Sequence, residues 1–148
     1  MTDNDFMREA LALAREAGEL GEVPVGAVAV VDGVIVGRGR NSPIARNDPT
    51  AHAEMLALRE ASSALGNYRL TEATLYSTLE PCVMCAGALV AARVQRLVFG
   101  ARDLRFGGVR SKFRLADSGI LNHKVEIVEG ILAPECVQLL QRFFSERR

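Results

Sequence analysis

Residues 73–92 read Ala-Thr-Leu-Tyr-Ser-Thr-Leu-Glu-Pro-Cys-Val-Met-Cys-Ala-Gly-Ala-Leu-Val-Ala-Ala. Ala73 to Thr78 has the β-branched and aromatic content of a strand. Pro81 stands where a helix starts, because its ring pre-sets the helical φ and it lacks only an N–H that the first turn leaves unpaired. The segment that follows is apolar on every side as far as Ala92, so the helix it forms is a buried one. A strand running straight into a buried helix is the unit from which helix-covered sheets are built. Downstream, Val94 to Gly100 predicts a strand, Lys124 to Val128 another, and Pro134 to Glu146 a closing amphipathic helix. Upstream, Phe6, Ala10, Leu13, Ala14 and Ala17 recur at helical spacing, with Gly18 or Gly21 to end that helix. Val25 to Val31 and Val34 to Val36 flank Asp32-Gly33, a two-residue hairpin turn. Gly37 to Thr50 holds Asn41-Ser42-Pro43 and Asp48-Pro49-Thr50 and reads as a long loop, and a helix is expected from Ala51 or His52 to about Ala64. The expected class is α/β, a mixed sheet with helices on both faces. Ala101 to Asn122 carries no clear signal for either element.

A chain of 148 residues predicts one domain over residues 1–148, and 49% apolar against 24% charged residues is enough to build a core. No repeat or linker interrupts it. The longest apolar run, Val23 to Val31, contains a proline and falls far short of the roughly 20 residues of a membrane span. The acidic start Met-Thr-Asp-Asn-Asp is unlike a signal peptide, and three cysteines do not make a disulfide framework. A soluble, cytoplasmic protein is expected, with no membrane and no nucleotide cofactor. Basic and acidic residues balance at 18 each, which excludes a generally polybasic chain. The distribution is uneven: residues 1–90 hold 7 basic and 12 acidic side chains, residues 91–148 hold 11 and 6. Seven of the basic residues crowd into Arg93 to Arg114 against Asp103 alone. Arginine, which forks onto phosphates and stacks on bases, outnumbers lysine 16 to 2. That pattern suits an RNA-facing segment and equally a solvated loop.

Two short motifs carry chemistry. Cys82 and Cys85, at i and i+3 in a first helical turn, point the same way, and the positive end of the helix dipole favours their thiolates. His52 begins the other motif, His52-Ala53-Glu54, and imidazole with two thiolates suits zinc. Three protein ligands leave one tetrahedral position open, the arrangement of catalytic rather than structural zinc. Residues two apart in a regular helix face about 200° apart, so His52 and Glu54 share a site only at a helix start, where the backbone is freer. A carboxylate placed there can take a proton from water and deliver it to a leaving group. Cys136, Leu139, Leu140 and Phe143 share a helical face, which reads Cys136 as a core residue; His123 has no partner motif.

His-x-Glu followed by Pro-Cys-x-x-Cys is the signature of the zinc-dependent nucleobase deaminases. The chain resembles the bacterial tRNA-specific adenosine deaminases of the cytidine/deoxycytidylate deaminase superfamily. The likeness runs through 23–28, 47–54, 67–70, 78–88, 98–103, 121–126 and 129–132, nearly the whole chain. It implies a three-layer fold with a mixed five-stranded sheet, and one zinc per subunit held by His52, Cys82 and Cys85. Glu54 would be the proton shuttle, with Asn41 hydrogen-bonding the target nucleotide. The backbones of Ala53 and Leu79 would lie along the base, and Asp103 near the flanking RNA. The implied activity is hydrolytic deamination of adenosine to inosine at the wobble position of a tRNA anticodon loop, by a homodimer. One segment departs from the family: where relatives carry a word like Gly-Ser-Leu, an acidic residue and Leu, this chain has the basic, aromatic Leu104 to Leu115. Its phenylalanines would either stack on RNA or plug the core.

Two rivals remain at this level. A free-base or nucleoside deaminase acting on guanine or cytosine would share the zinc site, but a small neutral substrate needs no basic surface. A closed structural zinc module would recruit Cys136 or His123 as a fourth ligand and would have no use for Glu54.

Overall fold

The computed structural model describes residues 1–147. Its strands are β1 (Gly26–Val31), β2 (Val34–Arg40), β3 (Thr74–Leu79), β4 (Arg96–Ala101) and β5 (Glu126–Glu129), in the order β2-β1-β3-β4-β5. β1 is antiparallel to both β2 and β3, whereas β3, β4 and β5 are parallel. The helices are α1 (Asp3–Glu19), α2 (Pro43–Arg46), α3 (Ala53–Leu65), α4 (Val83–Ala91) and α5 (Ala133–Ser145). On one face of the sheet, Phe6, Met7 and Ala10 of α1 and Cys136 of α5 pack on Val28, Tyr76 and Val98. On the other, Ala57 and Ala61 of α3 and Leu89 of α4 pack on Ala29, Leu75 and Phe99. The result is the mixed five-stranded, three-layer α/β fold that the resemblance implies.

The Asp32-Gly33 turn forms as expected, with both residues at positive φ (51° and 73°), the requirement of a type I′ hairpin. Gly37 to Thr50 is not a continuous loop: β2 runs on to Arg40 and a short helix, α2, follows. Gly37 and Gly39, inside β2, serve close packing. A Cβ on Gly37 would lie 2.2 Å from the Ala57 carbonyl oxygen, and one on Gly39 2.1 Å from that of Ala53, so α3 rests directly on the strand backbone.

The connection from β4 to the parallel strand β5, residues 102–125, contains neither helix nor strand. Val109, Ala116 and Val125 are buried and tie it to the core beneath α3 and α4. It therefore passes over the end of the sheet at which β3 runs into α4. Among the described residues no helix is long and apolar enough to cross a membrane.

Candidate active site

Both motif helices begin at one place. His52 is the N-cap of α3 and Cys82 the N-cap of α4, each with extended backbone, and Cys85 is in the first turn of α4. The His52 Nδ1 atom lies 3.5 Å from Cys82 Sγ and 3.6 Å from Cys85 Sγ, and the three ligand atoms all lie within 4.8 Å of one another. Zinc bonded tetrahedrally to one nitrogen and two sulfurs separates each N–S pair by about 3.5 Å, so the donor set fits that ion. Glu54 sits beside the cluster, 4% exposed and in contact with the Cys85 thiol.

The charges follow from that packing. The Cys85 thiol hydrogen-bonded to Cys82, with help from His52, brings the Cys82 thiol down to about 4. The same bond, reinforced by burial, pushes Cys85 up. Contact with Cys82 raises His52 above its ordinary value despite its burial. Burial drives Glu54 up to about 7, against the partial relief of its own backbone N–H and His52. The arrangement has one ready thiolate, and a metal would release the proton of the second.

A pocket of about 590 Å³ opens over the cluster, with His52, Glu54 and Cys82 in its lining. Asn41, just beyond β2, Leu79, at the end of β3, and Asp103, just after β4, all line this space. Ala53 is fully buried, belongs to the core under β2, and is not part of the lining. The Asp103 carboxylate accepts the N–H groups of Arg105 and Phe106, both at 3.1 Å, and so shapes its own loop. Cys136 is buried among core residues on the α1 and α5 face, and His123 Nε2 bonds the Val94 carbonyl oxygen at 2.7 Å. Neither joins the cluster, which removes the closed four-ligand site.

Two lining residues on α5 were not legible as pocket residues in the sequence. Leu140 and Phe144 reach the pocket from α5, where helical spacing alone could not tell a core face from a pocket wall. Leu104, Arg105 and Phe106 reach it from the β4–β5 connection. Phe106 and Phe113 are exposed, so they do not plug the core; Val109 does. The basic stretch is less open than its composition suggests. Arg96 pairs with Asp3, Arg102 with Glu129 and Arg110 with Asp117, while Arg93 bonds Asn122. Arg105, Lys112 and Arg114 stand outside the ion pairs among the described residues, and Arg105 lies over the Phe106 ring.

Residues 1–101, which include every member of the cluster, match the cytidine and deoxycytidylate deaminase zinc-binding region. The chain belongs to this deaminase family. Relatives of the deaminase along almost its whole length are named tRNA-specific adenosine deaminase. That of Haemophilus influenzae is 52% identical, covering 99% of this chain and 85% of the relative. That of Bacillus subtilis is 47% identical, covering 99% and 91%. A structure solved in studies of A-to-I editing by tRNA:A34 deaminases superposes with a TM-score of 0.89 at 45% identity, covering 92% of this chain and 99% of that one. The guanine deaminase of Nitrosomonas europaea shares the fold with a TM-score of 0.84 at 25% identity, over 96% and 84%.

Proposed function

We propose that this deaminase converts adenosine to inosine at the wobble position of a tRNA anticodon loop. The observation that carries the reading is the buried Glu54 beside the His52, Cys82 and Cys85 cluster, at the floor of a pocket open to a base. Identity of 45–52% to tRNA-acting relatives, against 25% to the guanine deaminase, supports tRNA over a free base.

His52, Cys82 and Cys85 hold the zinc. When bound, zinc supplies a Lewis acid that lowers the pKa of water towards ~7. A Glu54 carboxylate oxygen takes a proton from the attacking water and delivers it to N1 of adenine as the water oxygen adds to C6. Glu54 then carries the remaining water proton, taken from the hydroxyl now on C6, to the 6-amino group, which leaves as ammonia while the oxygen becomes the 6-oxo group of inosine. Asn41 orients the target nucleotide, the backbone of Leu79 lies along the base, and Asp103 stands near the flanking RNA. An anticodon loop offers its bases already splayed, which keeps the cost of unstacking low. The same reading gives a single deaminase domain, a cytoplasmic location and a homodimer. Met55 of α3, Ala88 of α4 and Tyr68, between α3 and β3, line a shallow, largely apolar face that supports the dimer.

The test is deamination by the zinc-loaded protein of a tRNA transcript with adenosine at the wobble position, beside free guanine, cytosine and cytidine. Conversion confined to that adenosine is the expected result. Ammonia from a free base with an unchanged tRNA would replace the proposed substrate and keep the zinc chemistry.

A further inference from the structure

Glu80 is 2% exposed, yet it is a carboxylate at the junction of β3 and α4, two residues before Cys82. Its partners all come from one segment, the connection between β4 and β5. Oε1 accepts the Asp103 N–H at 3.0 Å and the Ser111 hydroxyl at 2.5 Å. Oε2 accepts the N–H groups of Val109, Arg110 and Ser111 at 3.0, 2.6 and 2.9 Å. A loop without helix or strand thus has four backbone donors, spread over nine positions, drawn onto one buried carboxylate. Burial without partners would be costly, and five charge-assisted bonds offset that cost.

The loop is fitted to this anchor. A Cβ on Gly107 would lie 2.4 Å from the Glu80 carboxyl carbon, and one on Gly108 2.8 Å from the Val83 nitrogen. Gly107 also pairs with Cys82 across a β-bridge, and the Gly108 N–H donates to the Pro81 carbonyl at 2.8 Å. The residues held between Glu80's outermost partners include Leu104, Arg105 and Phe106, which wall the pocket mouth.

We propose that Glu80 is a positioning residue for substrate recognition: it sets the 103–111 loop against the pocket, and so determines how the nucleotides around the target adenosine are read. This rests on the tRNA reading above for its substrate, but the anchoring itself does not. Glu80 is outside the ligand cluster, and although it stands at the pocket wall its carboxylate is taken up by the loop donors. It acts through Asp103 to Phe106, and its loss should weaken binding more than chemistry.

The test uses Glu80→Gln, which keeps the shape but turns an amide NH2 towards converging N–H donors, and Gly107→Ala, which displaces the loop while leaving the carboxylate in place. Limited trypsin digestion reads the loop directly. Faster cutting at Arg105 and Arg110 in both variants, in protein that still unfolds cooperatively and keeps one zinc per chain, is expected. On an anticodon stem-loop, losing charged hydrogen bonds predicts a KM raised by about tenfold with a much smaller change in kcat. Discrimination between stem-loops altered beside the target adenosine should narrow. The double variant should show no more than the larger single effect, because both break one contact. Wild-type cutting rates in both variants would overturn the anchoring. A fall in kcat with lost zinc and unchanged KM would overturn the recognition role and make Glu80 a support of the metal helix. If Glu80→Gln does not fold, Gly107→Ala and Ser111→Ala test the same contact from the loop side. Wild-type protein inactive on every stem-loop would sink the tRNA reading, while the digestion would still decide the anchor.

Discussion

Glu54 and Cys136 separate catalysis from support among the buried reactive side chains. Glu54 stands beside the ligands without being one, so Glu54→Ala should keep stoichiometric zinc and lose at least about 10²-fold in turnover, the usual span of general acid–base catalysis. Metal analysis alongside the tRNA assay checks both halves, and an active variant would remove the shuttle. Cys136, pushed up to about 12 by burial, is a core thiol on the other face of the sheet. Cys136→Ala should therefore lose some stability and no zinc. A metal-free Cys136→Ala protein would contradict the three-residue ligand set. Both motifs were readable because each is confined to a single turn, where spacing translates directly into direction. Glu80 was not, since five of its bonds go to residues 23 to 31 positions away, and no local pattern encodes them.

Among the elements, two contacts govern how the layers meet. Gly37→Ala forces a methyl within 2.2 Å of a backbone oxygen of α3, which neither element can yield without moving. Overpacking of this kind costs about 2 kcal/mol, measurable by urea denaturation, and the helix it displaces carries His52 and Glu54. α1 is clasped to the sheet by Asp3, which bonds Arg96 in bidentate fashion and accepts the Tyr76 hydroxyl at 2.6 Å. The Arg96 contact holds the Asp3 carboxyl below its ordinary value. A group lowered on folding stabilises above its unfolded pKa and loses that contribution as the pH falls through its folded one. The stability gap between wild type and Asp3→Asn should thus be full near neutrality and narrow between about pH 5 and pH 2. A gap independent of pH would mean that the pair contributes little. The apolar rhythm of α1 was plain in the sequence, but that its first residue reaches across to β4 was not.

On the proposed tRNA reading, charge decides how the molecule as a whole meets RNA. The seven basic residues between Arg93 and Arg114 suit an RNA-facing segment and equally a solvated loop, and of them Arg93, Arg96, Arg102 and Arg110 are engaged within the chain. Arg105, Lys112 and Arg114 remain for phosphates. Each contact to a single strand contributes about 0.7 to the slope of log affinity against log salt, so replacing all three with alanine should flatten that slope by about 2. Fluorescence anisotropy on the anticodon stem-loop over a salt series measures it. No change in slope would place the phosphate contacts elsewhere on the surface.

The order of elements, the hairpin and the His, Glu and paired Cys of the site were encoded in runs of a few residues, where helical and strand periodicity and turn chemistry act over one or two turns of backbone. The pocket was not. Its walls come from Asn41, Leu79, the 103–106 loop and α5, segments brought together only when α1 and α5 close one face of the sheet and α3 and α4 the other. The same closure put Gly37 and Gly39 in packing contact with α3, paired three arginines with carboxylates, and drew an irregular loop onto a buried carboxylate. Each depends on what lies opposite a residue in space, and long-range packing and charge pairing leave no periodic trace along the chain.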